Sequence, residues 1–170
     1  MPWLVDFWYN KSQFSDCEEQ QMWIYWILMF ALVVIDQVIK AAVVSQIALG
    51  ATVNVVPGLL SLTNLHNSGA AWSMLEGKMS FFYLISVVAL GVMLYLFWRL
   101  RQRRIYEFGL VLMVAGTLGN FIDRIRLGYV VDMFQLDFFN FPIFNFADTC
   151  LTVGVIVILI GVLRDDSFEK

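Results

Sequence analysis

The sequence predicts an α-helical polytopic membrane protein with four transmembrane helices and a small extracytoplasmic β-rich subdomain. Three observations carry that reading. Of the 170 residues, 60% are apolar and 16% aromatic, well beyond an ordinary soluble domain. Four apolar stretches, at residues 22 to about 49, 81–98, 108–122 and 149–163, approach the roughly 20 residues that about 30 Å of hydrocarbon demands, the last two when flanking residues extend them. Between the first two, the helical period gives way to β-branched residues in partial alternation.

Residues 1–21 read as a loose tail, with Trp3, Phe7 and Trp8 able to lie in the membrane interface. The start is acidic, with Asp6, Asp16, Glu18 and Glu19 against Lys11, and lacks the basic start and small-residue cleavage site of a secretory signal. A second reading has translation begin at Met22, so that Trp23, Tyr25 and Trp26 form an aromatic belt.

Along the first span, residues 22–35 rise about 21 Å before Asp36 appears, so this acid lies deep or near a membrane boundary. Lys40 follows at i+4, on the same face, and predicts a structural ion pair. Residues 50–80 then read as short strands around a turn at Pro57 and Gly58. A small sheet on the bilayer can hold an extended chain by strand addition, and Asn67, Gly69 and Ala70 allow another backbone to approach.

Arginine sets the orientation. The connection after the second span carries Arg99, Arg101, Arg103 and Arg104, whereas the one after the first has only Lys40, His66 and Lys78. The arginine loop is therefore expected in the cytoplasm, with both termini, and residues 50–80 and 123–148 outside. Residues 22–163 form one four-span domain, followed by a cytoplasmic tail at 164–170.

The third span ends in VAGTLGNFIDR. Gly116 and Gly119 share a helical stripe with Asn120 and Asp123, which permits close packing; Asn120, Asp123 and Arg124 are expected to hydrogen bond at the outer mouth. Asp132 closes a strand-like run at residues 129–131 with no basic neighbour, and Asp148 repeats that situation. Between them, QLDFFNFPIFNFA suits an interfacial loop folding back on itself, either a lid or a fixed plug. Two carboxyls brought together share one proton, so that one polarises a carbonyl while the other activates water.

Other chemistries find little support. A net charge of −3 offers no footprint for nucleic acid. Cys17 and Cys150 fall on opposite sides of the membrane, and the single His66 has no ligand cluster, so neither a disulfide nor a metal or other cofactor is expected.

DQVIK, NSGAAW, GNFIDR, VVDMF and FNFAD, in this order across residues 22–163, resemble the lipoprotein signal peptidase (signal peptidase II) family. The resemblance implies a membrane aspartic endopeptidase of the bacterial cytoplasmic membrane, its site at the outer face. Its substrates would be prolipoproteins with a diacylglyceryl-cysteine, cut before that cysteine, with membrane lipids around the site and no obligate protein partner. It also implies that Asp132 and Asp148 are catalytic, that Asn67, Gly69, Asn120, Arg124 and Asn145 line the site, and that Asp36, Lys40 and Asp123 support it. Ala115 stands where the family usually has Gly, Met133 and Trp72 replace commoner phenylalanines, and the tail before Met22 is long. Two alternatives stay open on the residues alone: a non-catalytic membrane scaffold and a proton-coupled transporter.

Overall fold

The computed structural model describes residues 2–69, 75 and 77–164, with side chains from Met22 onward. Its elements follow in the order α1 (Pro2–Gln46), β1 (Thr52–Val56), β2 (Leu60–Asn67), α2 (Met79–Arg99), α3 (Arg104–Leu127), β3 (Val130–Leu136) and α4 (Phe146–Arg164). Met22–Gln46 of α1, and the whole of α2, α3 and α4, are long and apolar enough to cross a membrane. The second, third and fourth spans extend a few residues beyond the apolar runs read from sequence, because residues at their ends continue the helix, whereas the first stops at Gln46, short of the expected residue 49.

α3 is the axis of the bundle. The other three helices pack on it, whereas α2 and α4 scarcely touch each other. Small residues make this possible: a methyl on Gly154 would lie 2.7 Å from the Gly109 carbonyl, and one on Gly116 would run into the carbonyl of Ala147. Below the polar residues, Tyr25, Met29, Met93, Phe97, Leu110 and Val114 fill the core among α1, α2 and α3. Lipid solvates the outer faces, so Ile24, Phe30, Leu84 and Leu163 remain exposed as a bilayer requires. α3 stops at Gly128, whose φ of 79° is a left-handed cap, with its N–H on the Arg124 carbonyl at 3.0 Å.

The three strands form one antiparallel sheet in the order β1-β2-β3. Val43, Val131 and Met133 anchor it to α1, and the buried Met133 fills that contact. β2 and β3 pair Leu65 with Asp132 and Asn67 with Val130. With side chains alternating across the sheet, Asn67 stands diagonal to Asp132 on one face. Asp132 lies inside β3 rather than at the end of a strand-like run, because pairing with β2 continues to Leu136.

Candidate active site

Asp132 and Asp148 reach the same cavity from β3 and from the first turn of α4. Among the described residues each carboxylate oxygen has one donor. Asn145 Nδ2 is 2.7 Å from Asp132 Oδ1, and Asn67 Nδ2 is 2.9 Å from Asp132 Oδ2. Asn120 Nδ2 is 2.7 Å from Asp148 Oδ1, and the Asn145 backbone N–H lies 3.2 Å from Asp148 Oδ2. Asp132 is 2% exposed, and burial, with Asp148 nearby, pushes its carboxyl up to about 6; the bonds from Asn67 and Asn145 and the charge of Lys40 hold it back. A carboxyl near 6 exchanges its proton readily around neutral pH, which general acid–base chemistry requires.

The donors are themselves fixed. Asn145 Oδ1 accepts the Asp148 N–H at 2.9 Å while its own N–H reaches the Asp148 carboxylate, a reciprocal cap that starts α4. Asn67 Oδ1 accepts the Gly69 N–H at 2.9 Å, leaving its amide to donate toward Asp132. Lys40 is 3% exposed and spends all three protons: on Asp36 at 2.9 Å, Asp123 at 2.8 Å and Asn120 Oδ1 at 3.0 Å. That cation requires the Asn120 oxygen to face it, so the Asn120 amide faces Asp148.

The two acids also tie elements together, Asp36 through the oxygen that Lys40 leaves free and Asp123 through the one that Lys40 holds. Asp36 Oδ1 accepts the Ala147 N–H at 2.9 Å, joining α1 to α4, and Asp123 Oδ2 accepts the Val131 N–H at 3.2 Å, joining α3 to β3. The i, i+4 pair read from sequence is thus present and serves two acids. The expected single network of Asn120, Asp123 and Arg124 is not formed. Asn120 and Asp123 meet through Lys40, whereas Arg124, a residue further round the helix, turns toward α2. Its guanidinium lies 4.7 Å from the Phe82 ring centre and 3.5 Å from the Gly69 carbonyl, with Nε buried and unpartnered among the described residues.

The cavity measures about 810 Å³ and extends from the two carboxyls down between α2 and α4, past Ile85, Ala89, Leu151 and Val153. Because those helices pack on α3 and not on each other, it opens sideways to lipid. A second cavity of about 630 Å³ lies on the sheet side, lined by His66, Asn67, Asp132 and residues 135–143. Asn67, Asp132 and residues 141–143 border both, so a chain can cross the carboxyls from one to the other. Phe138, Phe139 and Phe141 overhang this divide, with ring centres 4.8 and 5.5 Å apart in sequence. His66 stacks on Tyr129 at 3.8 Å, and burial lowers its pKa. Among the described residues no three His, Cys, Asp or Glu side chains form a metal-holding group.

The signal peptidase (SPase) II family profile matches residues 28–164. The chain belongs to the signal peptidase II family. It is 80% identical to the lipoprotein signal peptidase of Lactiplantibacillus plantarum over 149 residues, 88% of this chain and all of that protein. It is 52% identical to that of Enterococcus faecalis over 148 residues, 86% and 92% of the two chains. A solved structure described as a bacterial membrane enzyme superposes with a TM-score of 0.82 at 38% identity, covering 86% of this chain and 92% of that one. This signal peptidase II is therefore an aspartic peptidase built on four membrane helices. Membership sets aside the scaffold and transporter alternatives.

All ten site residues anticipated from sequence lie in the described region, and the structure joins nine of them through the bonds above; Arg124 meets the set through the Gly69 carbonyl. Sequence reading missed Gln37, whose amide lies 2.9 Å from Asp123 Oδ1 and 3.2 Å from the Gly119 carbonyl. Its place beside Asp36 was the available signal. The cap in Asn-Phe-Ala-Asp was also legible, and it would have started the last helix at Phe146. Ala70 and Trp72 of the NSGAAW motif, and the side chain of Cys17, lie outside the described residues.

Proposed function

We propose that Asp132 and Asp148 are the catalytic pair of an endopeptidase that removes signal peptides from diacylglyceryl-modified prolipoproteins, cutting before the lipidated cysteine. The observation that carries this reading is the convergence of two carboxyls, each held by paired amide donors, at the head of a cavity open to lipid. One carboxyl holds a proton and polarises the scissile carbonyl. The other, ionised, takes a proton from water as it attacks, and the tetrahedral intermediate collapses when the shared proton reaches the leaving nitrogen.

The unpartnered Arg124 Nε and the neighbouring Gly69 backbone hold the substrate chain across the carboxyls. Asn67, Asn120 and Asn145 orient the acids, and Asp36, Lys40 and Asp123 hold those amides in place. The lipid-facing opening accounts for a substrate that never leaves the bilayer. By the arginine count the site faces outward and both termini the cytoplasm, with residues 22–163 forming the peptidase domain.

Cleavage of matched prolipoproteins with and without the diacylglyceryl group tests the reading. The lipidated form should be cut and the unmodified one spared; equal cleavage of both would refute the substrate class.

A further inference from the structure

The cavity between α2 and α4 is apolar over most of its depth, yet besides Arg124 Nε a second polar group on its wall has no partner among the described residues. Ser86 of α2 is 7% exposed, lines the cavity and has no hydrogen-bond partner among the described residues. The threonine hydroxyls around it are occupied. Thr117 donates to the Met113 carbonyl at 2.8 Å, Thr149 to that of Asn145 at 3.1 Å, and Thr152 to that of Asp148 at 2.9 Å. Ser86 Oγ is therefore free to donate into the cavity, and a group that enters and accepts from it gains a hydrogen bond.

Its depth narrows the acceptor. Ser86 follows Phe82 by one helical turn, about 6 Å, and the Phe82 ring lies beneath the Arg124 guanidinium at the outer mouth. α2 and α3 run antiparallel, so Ser86 sits level with Asn120, one turn inward from Arg124. In a substrate whose cysteine carries a thioether-linked glyceryl diester, the nearer ester carbonyl is seven bonds from the cysteine nitrogen, a reach of about 8 Å. With the scissile bond at Asp132 and Asp148, that carbonyl arrives at the turn holding Ser86. The acyl chains then leave between α2 and α4.

We propose that Ser86 is a specificity residue whose hydroxyl donates to an ester carbonyl of the diacylglyceryl group, an inference that rests on the lipidated-substrate reading above. The test uses two synthetic prolipoprotein peptides that differ only in the glyceryl linkage, one diester and one dialkyl ether, which lacks the carbonyls.

Wild-type enzyme should favour the diester by about 3- to 10-fold in kcat/KM, expressed mainly in KM, the value of one hydrogen bond. Ser86→Ala should bring that ratio to about one, and Ser86→Thr, which keeps the hydroxyl, should retain it. A wild type with no diester preference overturns the proposal without recourse to any variant. So does a Ser86→Ala enzyme that loses equally on both substrates, since the hydroxyl would then serve the peptide or the packing. Failure of the wild type to cut either lipidated peptide would instead overturn the substrate reading, and this inference with it.

Discussion

The side-chain amide of Asn145 lies 2.7 Å from Asp132 Oδ1, while the same residue caps the helix whose first turn carries Asp148. One asparagine therefore sets the spacing of both carboxyls. Asn145→Ala is expected to lower kcat about 10- to 100-fold with little change in KM, and to cost about 1 kcal/mol of stability through the lost cap. Separate determination of kcat, KM and melting temperature checks this; a pure KM effect would mean that Asn145 binds substrate rather than orienting the acids.

Lys40 is buried between Asp36 and Asp123. Replacing it with Met leaves two acids facing each other without a cation and frees the Asn120 amide to turn. A loss of about 3–5 kcal/mol is expected, the usual cost of removing one partner from a buried pair. Melting in detergent measures it, and adding Asp36→Asn to Lys40→Met should recover part of the loss.

At Gly116 the α3 backbone meets the turn that carries Ala147 and Asp148. Gly116→Ala forces α4 outward and lengthens the 2.7 Å contact between Asn120 and Asp148. Activity should fall at least 10-fold, whereas Gly91→Ala, where a methyl meets open space, should leave turnover near wild type. Parallel turnover assays of the two variants separate a packing effect at this contact from a general intolerance of added bulk.

Asp132 gives a pH dependence of definite sign. Its carboxyl titrates near 6 in the folded protein, because burial disfavours the charge, and near 3.9 in the unfolded chain. Between about pH 4 and 6 the folded state keeps a proton that the unfolded chain has released, so stability falls as pH rises through that window and levels off above it. Relative to Asp132→Asn, the wild type should lose about 2 kcal/mol between pH 4 and 7. Melting temperatures of both proteins across that range report the difference, and a constant gap would show that Asp132 is not destabilised by burial.

Much of this was legible in the chain. The spans follow from length and apolarity, and the Asp36–Lys40 pair from i, i+4 spacing. Asp132 and Asp148 stood out as acids without basic neighbours. What the chain did not disclose depended on three-dimensional register. The diagonal of Asn67 and Asp132 requires the β2–β3 pairing, with its irregularity between Leu62 and Leu65. The service of Lys40 to Asp123 requires α1 and α3 to pack at one height. Ser86 resembles any small residue in a span until α2 and α4 are seen to part around it.

The most direct test of the central claim is cleavage of a diacylglyceryl-modified prolipoprotein by wild type, Asp132→Asn and Asp148→Asn, each shown to be folded in detergent by its melting curve. Loss of cleavage by at least about 10³-fold in both folded variants is the predicted result, because each carboxyl carries a proton that water attack or leaving-group departure needs. Substantial turnover by either folded variant would contradict the account.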